Sequence, residues 1–215
     1  MWQSILRFFQ SFGSSSPEAS TTHQNVAQLA QWASENGFIH QNPSDVQLHQ
    51  EYDHLLFFQQ GSGHQTLARM SKQRPDDATV VADFQVTLEE HSTSVCCYIF
   101  ENTAISLPKL HLVNRESSLF ALLRGSSLSP ISLPSILSSS HSALCEEPQW
   151  GDRVFKSPEV KEILEGFDSS SIIWFEADDC HALLVTTQYS ENAISLGQHL
   201  FRHFAAFRYK KSGRG

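Results

Sequence analysis

Long apolar runs are missing from this sequence. Nowhere do about 20 apolar residues follow one another, the length that a membrane-spanning helix needs. Also missing are the catalytic signatures G-x-S-x-G and H-E-x-x-H, the dinucleotide loop G-x-G-x-x-G, and the glycine loop with a lysine that cradles phosphates. GSGH at Gly61–His64 is a two-glycine turn that lacks the following lysine and helix. Basic residues are few: 15 Lys and Arg stand against 23 Asp and Glu, a formal net charge of -8. Such a chain repels phosphate backbones, and the aromatic–basic interleaving of a single-strand groove is absent. No nucleic-acid partner is expected. Cysteine is scarce as well. Cys96, Cys97, Cys145 and Cys180 contain no C-x-x-C pair, so their spacing suggests neither a zinc ribbon nor a thioredoxin-type site. On a strand, adjacent Cys96 and Cys97 point to opposite faces, the arrangement of two buried small hydrophobes rather than of a bridge. That usage fits a reducing compartment, the cytoplasm.

What is present is an ordinary globular composition: 215 residues, 40% hydrophobic and 18% charged. Charge is segregated along the chain. Ten acidic residues stand against three basic ones between Glu146 and Asp179, whereas Arg202, Arg208, Lys210, Lys211 and Arg214 follow Glu191 with no acid among them. A basic end to a last helix complements the helix dipole and reads as solvated.

The opening MWQSILRFFQSFG has a pattern of its own. On a helical wheel Met1, Trp2, Ile5, Leu6, Phe8, Phe9 and Phe12 fall within an arc of roughly 160°, and the polar residues occupy the opposite side. That is an amphipathic helix, with Gly13 placed to end it. Arg7 and Gln10 interrupt the apolar core that an export signal requires, so neither an export signal nor a spanning helix is expected. The Ser-, Thr- and Pro-containing stretch that follows reads as a tether. The helix then packs on the domain, on a protein partner or second copy, or in a membrane interface. Trp2, Ile5, Phe8, Phe9 and Phe12 are its candidate contact residues.

The rest reads as alternating elements. Val26, Leu29, Ala30 and Ala33 at helical spacing, stopped by Gly37, predict a helix over 25–36. A strand-like FIH and the apolar LLFF follow. In TVVADFQVTL, Val80, Ala82, Phe84, Val86 and Leu88 share a face. The other face, with Val81, Asp83, Gln85 and Thr87, is expected to meet solvent or a partner. SVCCYIF is apolar on both faces and predicts a central strand. Pro108 interrupts the next strand, as at an edge or bulge. ESSLFALLRG predicts a short helix. The serine-rich stretch 126–143 reads as one long irregular loop. SPEVKEILEGF carries helix signals, with Ser157 as N-cap and Pro158 at the first helical position. SIIWFEA and HALLVTTQ predict a hairpin around Asp178 and Asp179, and a final helix follows. Short turns between strands predict antiparallel pairing. The fold class is α+β: a single antiparallel sheet with helices packed on it, plus the N-terminal amphipathic helix. The expected organisation is a helix over 1–13, a flexible linker over 14–24, one domain over 25–209 and a disordered tail over 210–215.

The order of segments resembles a widespread group of uncharacterised bacterial proteins. The residues that carry the resemblance are LAQWASENGF, LLFFQQGSGHQTLARM, VADFQVTL, LPKLHLVNRE and IIWFEADDCHALLV, over about Val26 to Phe207. The resemblance implies a helix–antiparallel sheet–helix fold, often membrane-linked. Many members carry a membrane span before the first helix, where this chain has its amphipathic stretch. It implies no catalytic residues.

Candidate chemistry is thin. His199 and His203, at i and i+4, share a helical face, and Asp179, Cys180 and His181 of the hairpin offer further ligands. Boundary histidines beside an apolar stripe and acidic turn residues are ordinary, so no cofactor and no stoichiometric zinc are expected. No base stands beside Cys145 or Cys180 in sequence, and no carboxylate pair stands out for acid–base work. The expected function is non-enzymatic: a protein-interaction or membrane-peripheral module, in the cytoplasm or at the inner membrane. The rival is an enzyme or small-ligand binder whose site is assembled from scattered residues.

Overall fold

The structure is a computed structural model that describes residues 29–207, apart from 44, 46, 76, 89, 90, 124 and 125. The stretch 1–13, the linker 14–24 and the tail 210–215 lie outside the described residues.

Alternating sequence builds the long strands. β1 (Ile39–Gln41) is short, and β2 (Ser62–Arg74), β3 (Asp77–Leu88) and β4 (His91–Asn102) form a meander. Val80, Ala82, Phe84 and Val86 of β3 pack together on one face, as the alternation predicts. The other face of β3 is not open, contrary to the sequence expectation: Val81 and Asp83 are 0% and 1% exposed. A helix at 29–35, α1, adds Leu29, Trp32 and Ala33 to the cluster that includes Val81. It closes at Gly37, whose φ of 71° lets Phe38 N–H return to Ala33 O at 2.9 Å.

β4 is central, as SVCCYIF predicts, with Cys96 and Cys97 buried on opposite faces. Its other neighbour is β9 (His181–Thr186), the hairpin partner of β8 (Ile172–Asp179). β5 (Leu107–Asn114) continues the sheet beside β8, and Pro108 falls in a register shift between Leu107 and Leu110, so it marks a bulge and not an edge. The serine-rich stretch is not one loop. It carries β6 (Ser129–Pro130), one helical turn α3 (Ser135–Ser138) and β7 (His141–Cys145). His141, Ala143 and Cys145 are buried and alternate with half-buried Ser142 and Leu144. The short helix expected from ESSLFALLRG is a 3-10 turn, Ser118–Leu123.

Among the described residues the nine strands form one open antiparallel sheet, in the order β1-β2-β3-β4-β9-β8-β5-β7-β6. This is the α+β class read from the sequence. Its edges are short: β1 has three residues and β6 has two, one of them Pro130. Thr66 N–H, beyond the reach of β1, donates to Gln47 Oε1 at 3.3 Å.

Helices cover the first face. α1 is joined there by α4 (Pro148–Phe155), α5 (Pro158–Glu165) and α6 (Glu191–Ala206). Ser157 caps α5 as its sequence predicts, accepting Val160 N–H at 3.2 Å. Helix α4 was not anticipated. α6 lies so close to the sheet that a Cβ on Gly197 would overlap the Phe100 ring.

Among the described residues the second face has no long helix over it. A single turn, α2 (Leu48–Glu51), and a 3-10 turn (Leu56–Gln59) supply Leu48, Tyr52, Leu55, Phe57 and Phe58. Two devices hold this segment down. Arg69 of β2 is buried and bonds both carboxylate oxygens of Glu51 as well as Gln41 Oε1 at 2.6 Å. Glu176 of β8 is 2% exposed and caps the 3-10 turn from below. It accepts Leu56 N–H at 2.7 Å, Phe57 N–H at 3.2 Å and Trp174 Nε1–H at 3.1 Å. Burial pushes the Glu176 carboxyl up to about 7 against those donors, with Asp178 a smaller cause of the rise. His111 Nδ1 lies 3.9 Å from Glu176, and burial, then Lys109, hold the imidazole down to about 4. It is neutral at neutral pH.

Two expectations follow for stability. Phe84 is fully buried on the same face as Trp174, so Phe84→Ala should cost ~3–5 kcal/mol in chemical denaturation, and a near-neutral result contradicts the packing described. Glu176 holds a proton in the folded state that the unfolded chain releases at its ordinary, lower pKa. Its contribution is fully present below that ordinary value and is lost as pH rises through about 7. Between pH ~6 and ~8 the wild type should therefore lose ~1 kcal/mol more than Glu176→Gln. Urea melts of both proteins at the two pH values measure the difference, and parallel pH profiles contradict it.

Candidate functional site

The β8–β9 turn gathers acidic, thiol and imidazole side chains. Asp179 takes the left-handed conformation, φ 51°, that turns the chain, and its Oδ1 accepts Ser106 Oγ–H at 2.7 Å. Asp178 pairs with Lys109 at 3.2 Å. Cys180 O accepts Asn102 N–H at 2.9 Å, which ties the turn to the end of β4. Register then sets Glu101 of β4 directly opposite His181 of β9. Both lie on the second face, since they continue the Cys97–Ile99 and Val185–Leu183 rows.

Above them sits the segment that Glu176 pins. Tyr52 and Leu55 are buried, while Asp53 and His54 between them are exposed. His54 thereby reaches the turn. His181 Nδ1 lies 3.2 Å from His54 Nε2 and 3.3 Å from Cys180 Sγ. The other ring nitrogen, Nε2, lies 3.8 Å from Glu101 Oε2. The Tyr52 ring meets His181 edge-on at 5.8 Å and 77°. Glu101, Cys180 and His181 each offer a ligand atom, and these lie within 4.8 Å of one another. Burial, then His54, lowers the His181 pKa, so the ring is neutral at neutral pH. Burial, then Asp179 and Glu101, raises that of the Cys180 thiol.

Of the residues singled out in the sequence, Cys180 and His181 belong to this group and Asp179 borders it, engaged with Ser106. His199 and His203 do not join it. They ride on α6, over the first face, so the sheet stands between them and His181. His199 is exposed, and His203 Nε2 lies 3.0 Å from Ser157 Oγ with its ring against Phe207. His54 and Glu101 were not foreseen. Trp2, Ile5, Phe8, Phe9 and Phe12 lie outside the described residues.

Clefts lie elsewhere on the described residues. One of about 330 Å³ is mostly apolar, lined by Phe120, Leu123, Ile131, Leu133 and Leu144 with Arg115 among its polar residues. One of about 300 Å³ is polar and lies beside α6, with Lys72, Arg74, Asp77, Glu191 and Arg202. Among the described residues no helix is long and apolar enough to cross a membrane.

No family model and no curated protein matches the sequence. The fold is similar to that of a solved structure, the mycobacterial trehalose monomycolate transport factor A, TtfA. The TM-score is 0.56 at 12% sequence identity, over 82% of this chain and 90% of that one. The likeness shows the α+β fold.

Proposed function

We propose that this protein is a non-enzymatic accessory module that works at a membrane face: its domain docks a protein partner and its N-terminal stretch attaches it. The observation that carries this reading is the complete segregation of Met1–Phe12. On the sequence pattern, several large apolar side chains share one side of a helical wheel and would need covering, and the composition of Ser14–Thr22 is that of a tether. Two points support it. The fold is similar to that of a protein described as a mycobacterial trehalose monomycolate transport factor. The segment order resembles a bacterial group in which a membrane span often occupies the equivalent place. On this reading the chain resides in the cytoplasm, peripheral to the inner membrane. The apolar patch also serves for self-association where no membrane is present.

The rival reading, an enzyme or small-ligand binder with a site drawn from scattered residues, has one observation in its favour. His54, Glu101, Cys180 and His181 come from three separate segments and meet at one turn.

Liposome flotation, gel filtration and thermal melting test the leading reading on three proteins: wild type, a chain lacking Met1–Gly13, and Phe9→Glu. Phe9→Glu sets a charge in the middle of the apolar arc. Both variants should lose flotation or self-association while the melting temperature stays nearly unchanged. A large fall in melting temperature with flotation and elution volume unaltered makes the stretch a part of the core instead.

A further inference from the structure

We infer that the apolar cleft at the β6–β7 edge of the sheet binds a single-chain anionic amphiphile, a free fatty acid of about ten carbons, with its alkyl chain in the cleft and its carboxylate on Arg115. The cleft shares no residue with the β8–β9 turn. The inference does not rest on the membrane reading of Met1–Phe12.

The path of the chain makes the cleft. β6 pairs only with Cys145 and Leu144 of β7, and one further bond, from Ile131 N–H to Ala143 O at 3.1 Å, extends that contact. The chain then leaves β7, passes through Leu133 and the α3 turn, and returns at His141. This detour is held at two points: Ser132 N–H donates to Asp152 Oδ1 at 2.8 Å, and Leu137 is fully buried. Between it and the 3-10 turn that carries Phe120 and Leu123 lies a space of about 330 Å³, with Leu144 of β7 in its lining. Phe120, Ile131, Leu133 and Leu144 are only half-buried, so an alkyl chain laid among them removes apolar surface from water. An alkyl carbon fills roughly the 30 Å³ share of a liquid water, and the cleft therefore takes about ten of them.

Arg115 supplies the polar end. Its backbone N–H donates to Ser140 O at 2.8 Å and its Nε–H to Ser142 Oγ at 2.8 Å, which fixes the guanidinium beside the start of β7. Acidic residues outnumber Lys and Arg by 23 to 15, yet among the described residues no carboxylate pairs with this arginine. With Nε engaged, Nη1 and Nη2 remain side by side, the arrangement that takes both oxygens of a carboxylate. His141, the other titratable group of the lining, adds no charge. Its Nδ1 lies 2.8 Å from Ser140 Oγ and its Nε2 3.0 Å from Ile172 O, and burial lowers its pKa against the latter bond. The cleft thus offers one fixed cation and an apolar lining, the complement of a carboxylate on an alkyl chain. A neutral amphiphile leaves the guanidinium unused, and a cationic one is repelled.

Isothermal titration calorimetry of the full-length chain with sodium decanoate, kept below its micelle concentration, tests the site. Decanoate should bind at one equivalent. Affinity should rise from hexanoate through octanoate to decanoate by about two- to fourfold per methylene, and level off at dodecanoate. Decanol and decyltrimethylammonium should bind at least ~tenfold more weakly than decanoate. Arg115→Gln should weaken decanoate binding at least ~tenfold and leave decanol binding unchanged. Arg115 is exposed, so that variant should keep the wild-type melting temperature. Leu133→Trp fills the cleft and should remove binding of every chain length. Phe9→Glu should bind decanoate as wild type does, which separates this site from the N-terminal stretch. The inference is overturned if decanoate gives no saturable binding, the result for a cleft that receives only a partner's side chain. It is also overturned if Arg115→Gln or Leu133→Trp binds decanoate as wild type does, if decyltrimethylammonium binds as tightly as decanoate, or if Phe9→Glu abolishes binding.

Discussion

One buried carboxylate organises the second face of the sheet. A sheet with two apolar faces needs two covers, and among the described residues the long helices all go to the first. The second cover is a stretch with only a helical turn and a 3-10 turn, whose own backbone cannot satisfy its leading N–H groups. Glu176 rises from β8 to accept two of them, and it takes the Trp174 indole as well. Placing a carboxyl among Phe57, Trp174 and His111 carries a desolvation cost, which burial expresses as a raised pKa. What offsets it is the order imposed on the segment that seals Phe84, Val95 and Trp174 from water.

The same pin places His54 at the candidate site. Leu56 and Phe57 are fixed from beneath, Leu55 is buried, and His54 is thereby held over the turn that carries Cys180 and His181. Arg69 fixes the other end of the segment through Glu51. The cluster thus depends on a buried core contact one side chain away, while its own atoms reach the surface.

Much of the fold is legible in the sequence because the elements concerned have clean periods and punctuation. β3 and β4 show period-two patterns, Ser157 and Pro158 announce α5, and the Asp178–Asp179 turn announces the last hairpin. β7 escaped because serine at half-buried positions weakens the contrast that alternation relies on. Asp83 misled for the opposite reason: a carboxylate reads as exposed, yet neighbouring elements close over it. The candidate site was legible only in part. Cys180 and His181 are adjacent and visible, but His54 is 127 residues from His181, and only the cover on the second face brings it there. The i, i+4 pair His199–His203 looked like a ligand pair because helical spacing is readable. Which face of the sheet a helix will occupy is not.

The edges of the sheet bear on how copies of the domain can meet. An open sheet exposes its outermost backbone groups, and a long bare edge invites another strand to add to it. Here one border ends in three residues and the other in two, and Pro130 has no N–H to offer a newcomer. The stretch of β2 that β1 leaves uncovered is answered in part by the Gln47 side chain, which occupies the Thr66 amide. Continuous ladders between neighbouring domains are thus discouraged at both ends. Contacts between neighbouring domains are thereby steered toward side chains and away from a shared sheet.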